Sequence, residues 1–257
     1  MVFFVISCLR GCTDVREVTP LYEDDALLIV DKPAGVVVHP AYKNKENTLL
    51  DALQWRARDW PAGTRPSIVG RLDKQTTGIV VIAKTAELHA ALQRTLASAA
   101  SEKVYLAIVY GRVDAPRGEI DAPLGFDPVD RRRIVVTPGG WRSLTQFETI
   151  ASLDAPRAGL SLLRCRLVTG RRHQLRVHLA SRGWPIVGDE KYGEPRWRDI
   201  ADPALAALTR DCPRQALHAS RIAFAHPTTG ARVVVEAAIP GDLDALLQVL
   251  LHTTRHV

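Results

Sequence analysis

The sequence predicts an α+β fold, in which a single domain is built on a mainly antiparallel mixed sheet with flanking helices. The chain has many short apolar runs of strand length and only a few stretches with helical periodicity. Its 257 residues, 46% of them hydrophobic, can bury one large core, and no internal repeat divides them. No apolar run reaches the length of a membrane span, so a membrane partner is not expected.

Seven strands are predicted from apolar or alternating runs bounded by turn residues. In chain order they cover residues 26–31, 36–39, 79–83, 104–110, 160–168, 221–225 and 232–238. The first two flank a Pro–Gly turn at 32–35, and the last two flank a turn at 227–230. The run at 104–110 is apolar on both faces, which indicates a central strand. In 160–168, buried positions alternate with Arg164 and Arg166, which indicates a half-buried strand.

Three helices are predicted. Residues 86–99 place Leu88, Leu92 and Leu96 on one face. Residues 173–182 form a second helix that stops at Gly183. A final helix, capped by Asp242, runs to residue 251. Residues 194–214 show no clear period and are expected to be an insertion between elements.

The charge distribution favours a polyanionic partner. The formal net charge is +6, and no carboxylate occurs between Asp154 and Asp189. Seven arginines lie in that interval: Arg157, Arg164, Arg166, Arg171, Arg172, Arg176 and Arg182. Arginine suits forked contacts to phosphate. A second basic run lies at 131–133, so phosphate binding is preferred to a merely solvated basic face.

The cysteines and the N-terminal residues bear on the compartment and on the domain boundaries. Four cysteines occur without a C-x-x-C pair, which favours free thiols and a cytoplasmic protein. Residues 1–18 are expected to form a leader without an assigned role, and residues 19–257 the domain. The leader is too short to hold an S4-type RNA-binding module.

The first motif that could carry chemistry is Gly70-Arg71-Leu72-Asp73-Lys74-Gln75-Thr76-Thr77-Gly78, just before a predicted strand. Asp73 could be a turn residue whose carboxylate accepts local N–H bonds. Alternatively, its basic neighbours Arg71 and Lys74 would keep it ionised, which suits a nucleophile.

Two further motifs contain candidate residues. The second is Thr169-Gly170-Arg171-Arg172-His173-Gln174-Leu175-Arg176-Val177-His178. Arg172 and Arg176 are four residues apart and would therefore share a helix face. That face could belong to an exposed basic helix or to a functional site. His173 and His178 are five apart, which disfavours a zinc helix. The third motif, Lys103-Val104-Tyr105-Leu106-Ala107, places Tyr105 on the central strand, as a core aromatic or a site residue.

Together these segments resemble the RluA-type family of ribosomal and transfer RNA pseudouridine synthases. In that family the motifs read H-R-L-D-x-x-T-S-G, G-R-x-H-Q-I-R-x-H and K-x-Y-x-A. Further similar segments are Asp31-Lys32-Pro33-Ala34-Gly35, Gly188-Asp189-Glu190-Lys191-Tyr192-Gly193, Leu217-His218-Ala219, His226-Pro227 and the stretch from Pro123-Leu124 to Thr145. The order is the family's order over about residues 20–240. The resemblance therefore implies a single pseudouridine synthase catalytic domain.

The resemblance also implies the site. Asp73 would be the nucleophile or base, Arg176 its partner, and Tyr105 the residue that stacks on the target uracil. Arg71 would fill the gap left by the flipped base. Phosphates would be held by Arg171, Arg172, Arg131, Arg132 and Arg133. Other expected substrate-binding residues of the first two motifs are Leu72, Thr76, Thr77, His173, Gln174 and Leu175.

The implied reaction isomerises specific uridines in structured rRNA or tRNA, and the enzyme is expected to be a monomer with no cofactor and no metal. Two departures from the family pattern stand out: Gly70 replaces a usual His, and Thr77 a usual Ser. Two other classes stay open on the residues alone. One is an inactive RNA-binding protein of the same fold. The other is a glycoside or nucleoside hydrolase, which would need a second acid near Asp73.

Overall fold

The computed structural model describes residues 18–40, 44–153, 159–193 and 195–253. The expected leader, apart from Val18, lies outside these residues, as does Arg157. Cys165 and Cys212 are free thiols, and Cys165 is buried. No helix of the described segments is both long and apolar enough to cross a bilayer.

A large sheet of ten strands organises the described residues. Their order is β1-β2-β4-β11-β5-β10-β9-β6, with β3 paired to β4 and β12 paired to β11. The strands are β1 Thr19–Glu23, β2 Leu27–Lys32, β3 Ser67–Val69, β4 Thr77–Ala83, β5 Glu102–Tyr110, β6 Arg117–Asp121, β9 Leu144–Leu153, β10 Leu160–Leu167, β11 Leu217–Ala225 and β12 Arg232–Glu236. A separate hairpin consists of β7 Leu124–Phe126 and β8 Ile134–Val136. The predicted α+β class and mainly antiparallel sheet are confirmed.

One strand contact positions the site. β4 and β11 pair in parallel over two residues, His218 with Thr77 and Ala219 with Gly78, whereas the other pairs among the described strands are antiparallel. Beyond that contact β4 pairs with β3, and β11 pairs with β12. The parallel contact lies directly after residues 70–76, called here the Asp73 loop, which therefore emerges at the centre of the sheet.

Five helices flank the sheet in the described part of the chain: α1 Leu49–Arg56, α2 Ala86–Ala97, α3 Gln174–Ser181, α4 Pro203–Arg210 and α5 Gly241–Thr253. The side chain of Thr48 and that of Asp51 cap the start of α1 reciprocally. Leu92 and Leu96 of α2 pack with Ile79 and Val81 of β4, as the helical spacing predicts. Leu243, Leu246 and Leu250 of α5 pack with β10 residues such as Leu162 in a second core.

Most predicted elements are present at their predicted places. The strand predictions at 26–31, 79–83, 104–110, 160–168, 221–225 and 232–238 fall on β2, β4, β5, β10, β11 and β12. β5 is central, and α3 ends before Gly183, whose φ is +79°. These runs are long or strongly patterned, so burial on the sheet fixes them.

Three local predictions are wrong. Residues 36–39 are not a strand; the carbonyls of Val37 and Val38 instead accept N–H bonds from the first turn of α1. Asp242 does not precede α5 but lies in its first turn, where it binds Arg214. Residues 194–214 hold a short 3₁₀ turn and α4, whose N-cap is Asp202. An eight-residue helix is too short to show a clear hydrophobic period.

Candidate active site

The Asp73 loop joins β3 to β4 and turns sharply at Asp73, whose carbonyl accepts the N–H of Thr76 at 3.1 Å. Among the described residues, no nearby backbone N–H donates to the Asp73 side chain. Its Oδ2 instead accepts Nη1 of Arg176, 103 residues further along the chain, at 2.8 Å. The interpretation of Asp73 as a self-bonded turn residue is therefore wrong. Lys74 points away and donates to Asn44 at 3.0 Å.

Arg176 is held from behind by a second carboxylate. Its Nε and Nη2 donate to the two oxygens of Asp189 at 2.7 and 2.8 Å, and both residues are buried. Although burial opposes it, the bonds from Arg176 hold the pKa of Asp189 below its ordinary value. Asp189 also accepts the backbone N–H groups of Lys191 and Tyr192. The guanidinium is therefore fixed, with its third nitrogen, Nη1, aimed at Asp73.

Arg172 and Arg176 do not share a helix face. Arg172 precedes α3 and is exposed, whereas Arg176 lies within the helix and is only 8% exposed. The interpretation that Arg176 belongs to an exposed basic helix is therefore wrong.

His173 occupies the N-cap position of α3 in a left-handed conformation, with φ of 55°. Its Nε2 lies 3.8 Å from Oδ1 of Asp73, the oxygen that Arg176 leaves open. Its Nδ1 lies 2.7 Å from the hydroxyl of Tyr192, which in turn accepts the N–H of Ile134 at 3.0 Å. Burial, supported by the cations nearby and opposed by Asp73, lowers the pKa of His173 to about 4. His173 is therefore neutral at neutral pH.

Tyr105 stands on β5 beside Asp73 and is half-buried. Burial and the negative charge of Asp73 raise the pKa of its hydroxyl. The phenol is therefore neutral, and its ring forms part of the wall of a cleft.

The cleft has a volume of about 540 Å³. Eleven of the predicted site residues line it: Arg71, Leu72, Asp73, Thr76, Tyr105, Arg171, Arg172, His173, Gln174, Leu175 and Arg176. Four do not: Thr77, Arg131, Arg132 and Arg133. The three motifs therefore meet at one site, although they are widely separated in the sequence.

The polar groups of Gln174 and Thr77, two of the expected substrate-binding residues, are occupied by bonds within the protein. Both ends of the Gln174 carboxamide are used: its oxygen accepts from Thr169 and the N–H of Arg171, and its nitrogen donates to Leu144 and Thr145. The Thr77 hydroxyl pairs with Nδ1 of His218 at 2.9 Å.

The basic run at 131–133 lies on the β7–β8 hairpin and divides into three environments. Arg131 lies over the ring of Phe126, with 5.6 Å between Cζ and the ring centroid. Arg132 pairs with Asp130 at 2.8 Å, and Arg133 lies over the ring of Tyr192 at 5.2 Å. Because Ile134 also bonds to Tyr192, the hairpin is tied to the rim of the cleft near His173.

Sequence reasoning missed the residues that hold the Asp73 loop. The buried Lys32 donates to the carbonyls of Pro33, Val36 and Lys74 at 2.7, 2.9 and 3.1 Å. Burial lowers its pKa to about 7. Arg214 donates to the carbonyl of Gln75 at 3.2 Å, and Gln215 to the Thr76 hydroxyl at 2.7 Å.

Only part of this support had a signal in the sequence. Lys32 and Asp189 lie in segments similar to the family's, but no role followed from the pattern. The described residues contain no group of three or more His, Cys, Asp and Glu side chains placed to hold a metal ion.

Comparison with known proteins gives a consistent result. The sequence pattern of the family described as RNA pseudouridylate synthase matches residues 26–181. Ribosomal large subunit pseudouridine synthase D of Nitrosomonas europaea is 43% identical over 230 residues, covering 90% of this chain and 64% of that protein. The protein of the same name from Pseudomonas aeruginosa is 40% identical, covering 91% of this chain and 72% of that one. The chain thus spans about two thirds of these relatives' length.

The fold is shared with more distant proteins. Human RNA pseudouridylate synthase domain containing 1 superposes with a TM-score of 0.67 at 22% identity, covering 94% of this chain and 98% of that one. Human RNA pseudouridylate synthase domain containing 4 gives a TM-score of 0.69 at 22% identity, covering 89% and 93%.

Proposed function

The chain belongs to the RNA pseudouridylate synthase family, and we propose that it isomerises uridine to pseudouridine in RNA, with Asp73 as the catalytic carboxylate. The observation that carries this proposal is the Asp73 carboxylate, fixed through one oxygen by Arg176 in a cleft and open at the other. The same geometry disfavours a two-carboxylate hydrolase. Asp189, the nearby second carboxylate, has both oxygens bound by Arg176 and cannot serve as the second acid.

The reaction breaks the bond between ribose C1′ and uracil N1, turns the base, and joins C1′ to C5. The C5 proton is lost and N1 gains one, so oxidation states balance and the chemistry requires no nicotinamide or flavin. Asp73 acts either by attacking C1′ or by taking up a proton, and both routes use its open oxygen. Arg176 stabilises the ionised carboxylate and keeps it aimed, because Asp189 holds the guanidinium in place.

The surrounding residues bind the substrate in this proposal. Tyr105 stacks on the target uracil, which has left its RNA stack, and Arg71 fills the vacated gap. The exposed Arg171 and Arg172 at the rim hold phosphates, which position the RNA without reading its bases. Leu72 and Leu175 provide apolar wall, and His173, being neutral, offers a hydrogen bond rather than a charge.

Ribosomal RNA is the substrate class that the relatives' names favour over transfer RNA. We propose that the chain acts in the cytoplasm, which fits the free thiols of Cys165 and Cys212. We also propose that it is a monomer, because the site residues described above all come from one chain. The test is to label ribosomal and transfer RNA with tritium at uridine C5 and to incubate each fraction with the protein. Release from ribosomal RNA supports the proposal. Release from neither fraction would favour the alternative of an RNA-binding protein without activity.

The β7–β8 hairpin should contribute phosphate contacts unequally. Asp130 already neutralises Arg132, whereas Arg131 and Arg133 lie on aromatic rings and have no carboxylate partner among the described residues. Replacing Arg131 and Arg133 together by Gln should reduce the slope of log binding constant against log salt by about 0.7–0.9 for each lost contact. Arg132→Gln is the matched control and should change the slope less. Equal slopes for wild type and the double variant would exclude a phosphate role for the hairpin.

A further inference from the structure

Lys103 is a cation on the wall of the cleft, and it has no role in the reaction proposed above. It lies two residues before Tyr105 on β5, so both side chains leave the same face of the strand, about 7 Å apart. Both line the cleft. Lys103 therefore lies next to Tyr105, the residue proposed to stack on the target uracil, on the same face of β5.

The ammonium of Lys103 is unpaired. It makes no hydrogen bond and no ion pair with any residue of the described segments, although it is half-buried. Burial, and to a smaller extent the positive charge of Arg166, lowers the pKa of Lys103. The nearby Glu102 is already engaged by Arg221 and Arg232. Burying a lysine that has no carboxylate partner is unfavourable unless an anion binds there.

The surroundings of Lys103 fit a nucleotide that neighbours the target. The cleft is also lined by the exposed Gln93 and by the apolar side chains of Leu167 and Ile222, and Ile222 pairs with Lys103 across the strands. A cation beside one amide and an apolar wall suits a phosphodiester with its sugar. An ammonium group binds the negatively charged phosphodiester more strongly than the neutral carbonyl groups of a second uracil.

We propose that Lys103 forms a phosphate subsite of the cleft, which binds a phosphodiester next to the target uridine. The subsite rests on the proposed function for the identity of its ligand, since the phosphate belongs to the RNA whose uridine lies on Tyr105. Lys103 differs from Arg171 and Arg172 because it is half-buried whereas they are exposed, and it should therefore fix the register of the RNA strand in the cleft.

The test compares Lys103→Met, which keeps most of the apolar stem, with Lys103→Arg, which keeps the charge. The probe is a large-subunit rRNA transcript, and its affinity is measured over a range of salt concentrations. Lys103→Met should weaken binding several-fold and reduce the salt slope by about 0.7–0.9. Lys103→Arg should retain the slope. The matched control is Arg164→Gln, because Arg164 pairs with Leu106 across the strands and so lies on the opposite face of the sheet.

A second measurement uses the wild-type protein, so that a folding defect in a variant does not decide the matter. Lysines are acetylated with and without the transcript, and the modified peptides are quantified. RNA should protect Lys103 while the exposed Lys45 stays reactive. An unchanged salt slope in Lys103→Met, or equal acetylation of Lys103 with and without RNA, would overturn the subsite.

Turnover separates this proposal from the proposed function. Tritium release by the wild type with an unchanged Lys103→Met slope overturns the subsite alone. Protection of Lys103 and a reduced slope without tritium release would keep the phosphate subsite and overturn the proposed reaction. The acetylation is repeated with inorganic phosphate at millimolar concentration in place of the transcript. If phosphate protects Lys103 as well as the transcript does, the site binds free phosphate and the assignment to RNA is contradicted.

Discussion

At the scale of single residues, the candidate site depends on one arginine shared between two carboxylates. Nε and Nη2 of Arg176 donate to Asp189, and Nη1 donates to Asp73. The arrangement separates two tasks that a simple ion pair would combine. Asp189 orients the guanidinium, whereas Asp73 keeps one oxygen for chemistry.

Arg176→Met should reduce turnover by about 10²–10³-fold and leave RNA affinity within a few fold, because the lost interaction orients the carboxylate rather than the RNA. The single change also strands a buried carboxylate, which costs about 3–5 kcal/mol of stability. The double change Arg176→Met with Asp189→Asn should restore much of that stability and remain slow. Kinetics of tritium release and thermal melting measure the two effects.

Arg172→Met is the matched control, since Arg172 is an exposed cleft residue of the same motif. It should weaken RNA binding and its salt dependence, with turnover at saturating RNA little changed. Equal loss of affinity and turnover in Arg176→Met would contradict the role given to Arg176.

At the scale of elements, the Asp73 loop is fixed by its neighbours rather than by its own sequence. Lys32, Arg214 and Gln215 bind three successive residues of the loop, at Lys74, Gln75 and Thr76. The loop then enters β4 where β4 runs parallel to β11. Gly78 is at that contact, with φ of +107°, and a Cβ there would lie 2.2 Å from the carbonyl oxygen of Ala219.

Gly78→Ala should therefore destabilise the protein strongly, by about 3 kcal/mol or more, because both the backbone angle and the strand contact oppose a side chain. Gly70→Ala is the matched control. Gly70 has a φ of +91°, but a Cβ would meet nothing within 4 Å, so the cost should be about 1 kcal/mol. Urea unfolding of both variants gives the comparison. Equal losses would show that the Ala219 contact is unimportant.

The same elements show how far the sequence could be interpreted. The buried strands β4, β5 and β10 and helix α2 have unambiguous patterns and were predicted. The edge strands β1 and β6 and the three-residue β3 were not, because short strands with polar residues lack a period. Apolar residues at 36–39 predicted a strand wrongly, since burial of Val36 and Val38 beside α1 produces the same pattern. The resemblance to the family implied the pair of Asp73 and Arg176, but the bidentate role of Asp189 depends on the folded chain.

At the scale of the whole molecule, several histidines are buried in their neutral form. Burial lowers the pKa of His178 and His218, and that of His173 to about 4. Each of these groups binds a proton more readily in the unfolded chain. Acid should therefore destabilise the fold as pH falls below the ordinary histidine pKa of 6.5 and towards the lowered values.

His173 should account for a measurable share of this effect. Between pH 7.5 and pH 5 its contribution to the free energy of unfolding should fall by about 2 kcal/mol, since the unfolded state takes up the proton and the folded state does not. His173→Gln should narrow the difference in urea midpoint between pH 7.5 and pH 5. The control is His252→Gln, at an exposed position on α5, which should leave the difference unchanged. An unaltered difference in His173→Gln would contradict the lowered pKa.

The central claim is that Asp73 performs the chemistry, and tritium release from C5-labelled ribosomal RNA by Asp73→Asn tests it most directly. The amide keeps the shape of the side chain and can still accept the bond from Arg176, but it provides neither a nucleophilic oxygen nor a base. We predict that release falls by about 10³-fold or more while RNA affinity stays within a few fold. Asp59→Asn, at an exposed position that does not line the cleft, should behave as wild type. Release by Asp73→Asn within tenfold of wild type would contradict the account.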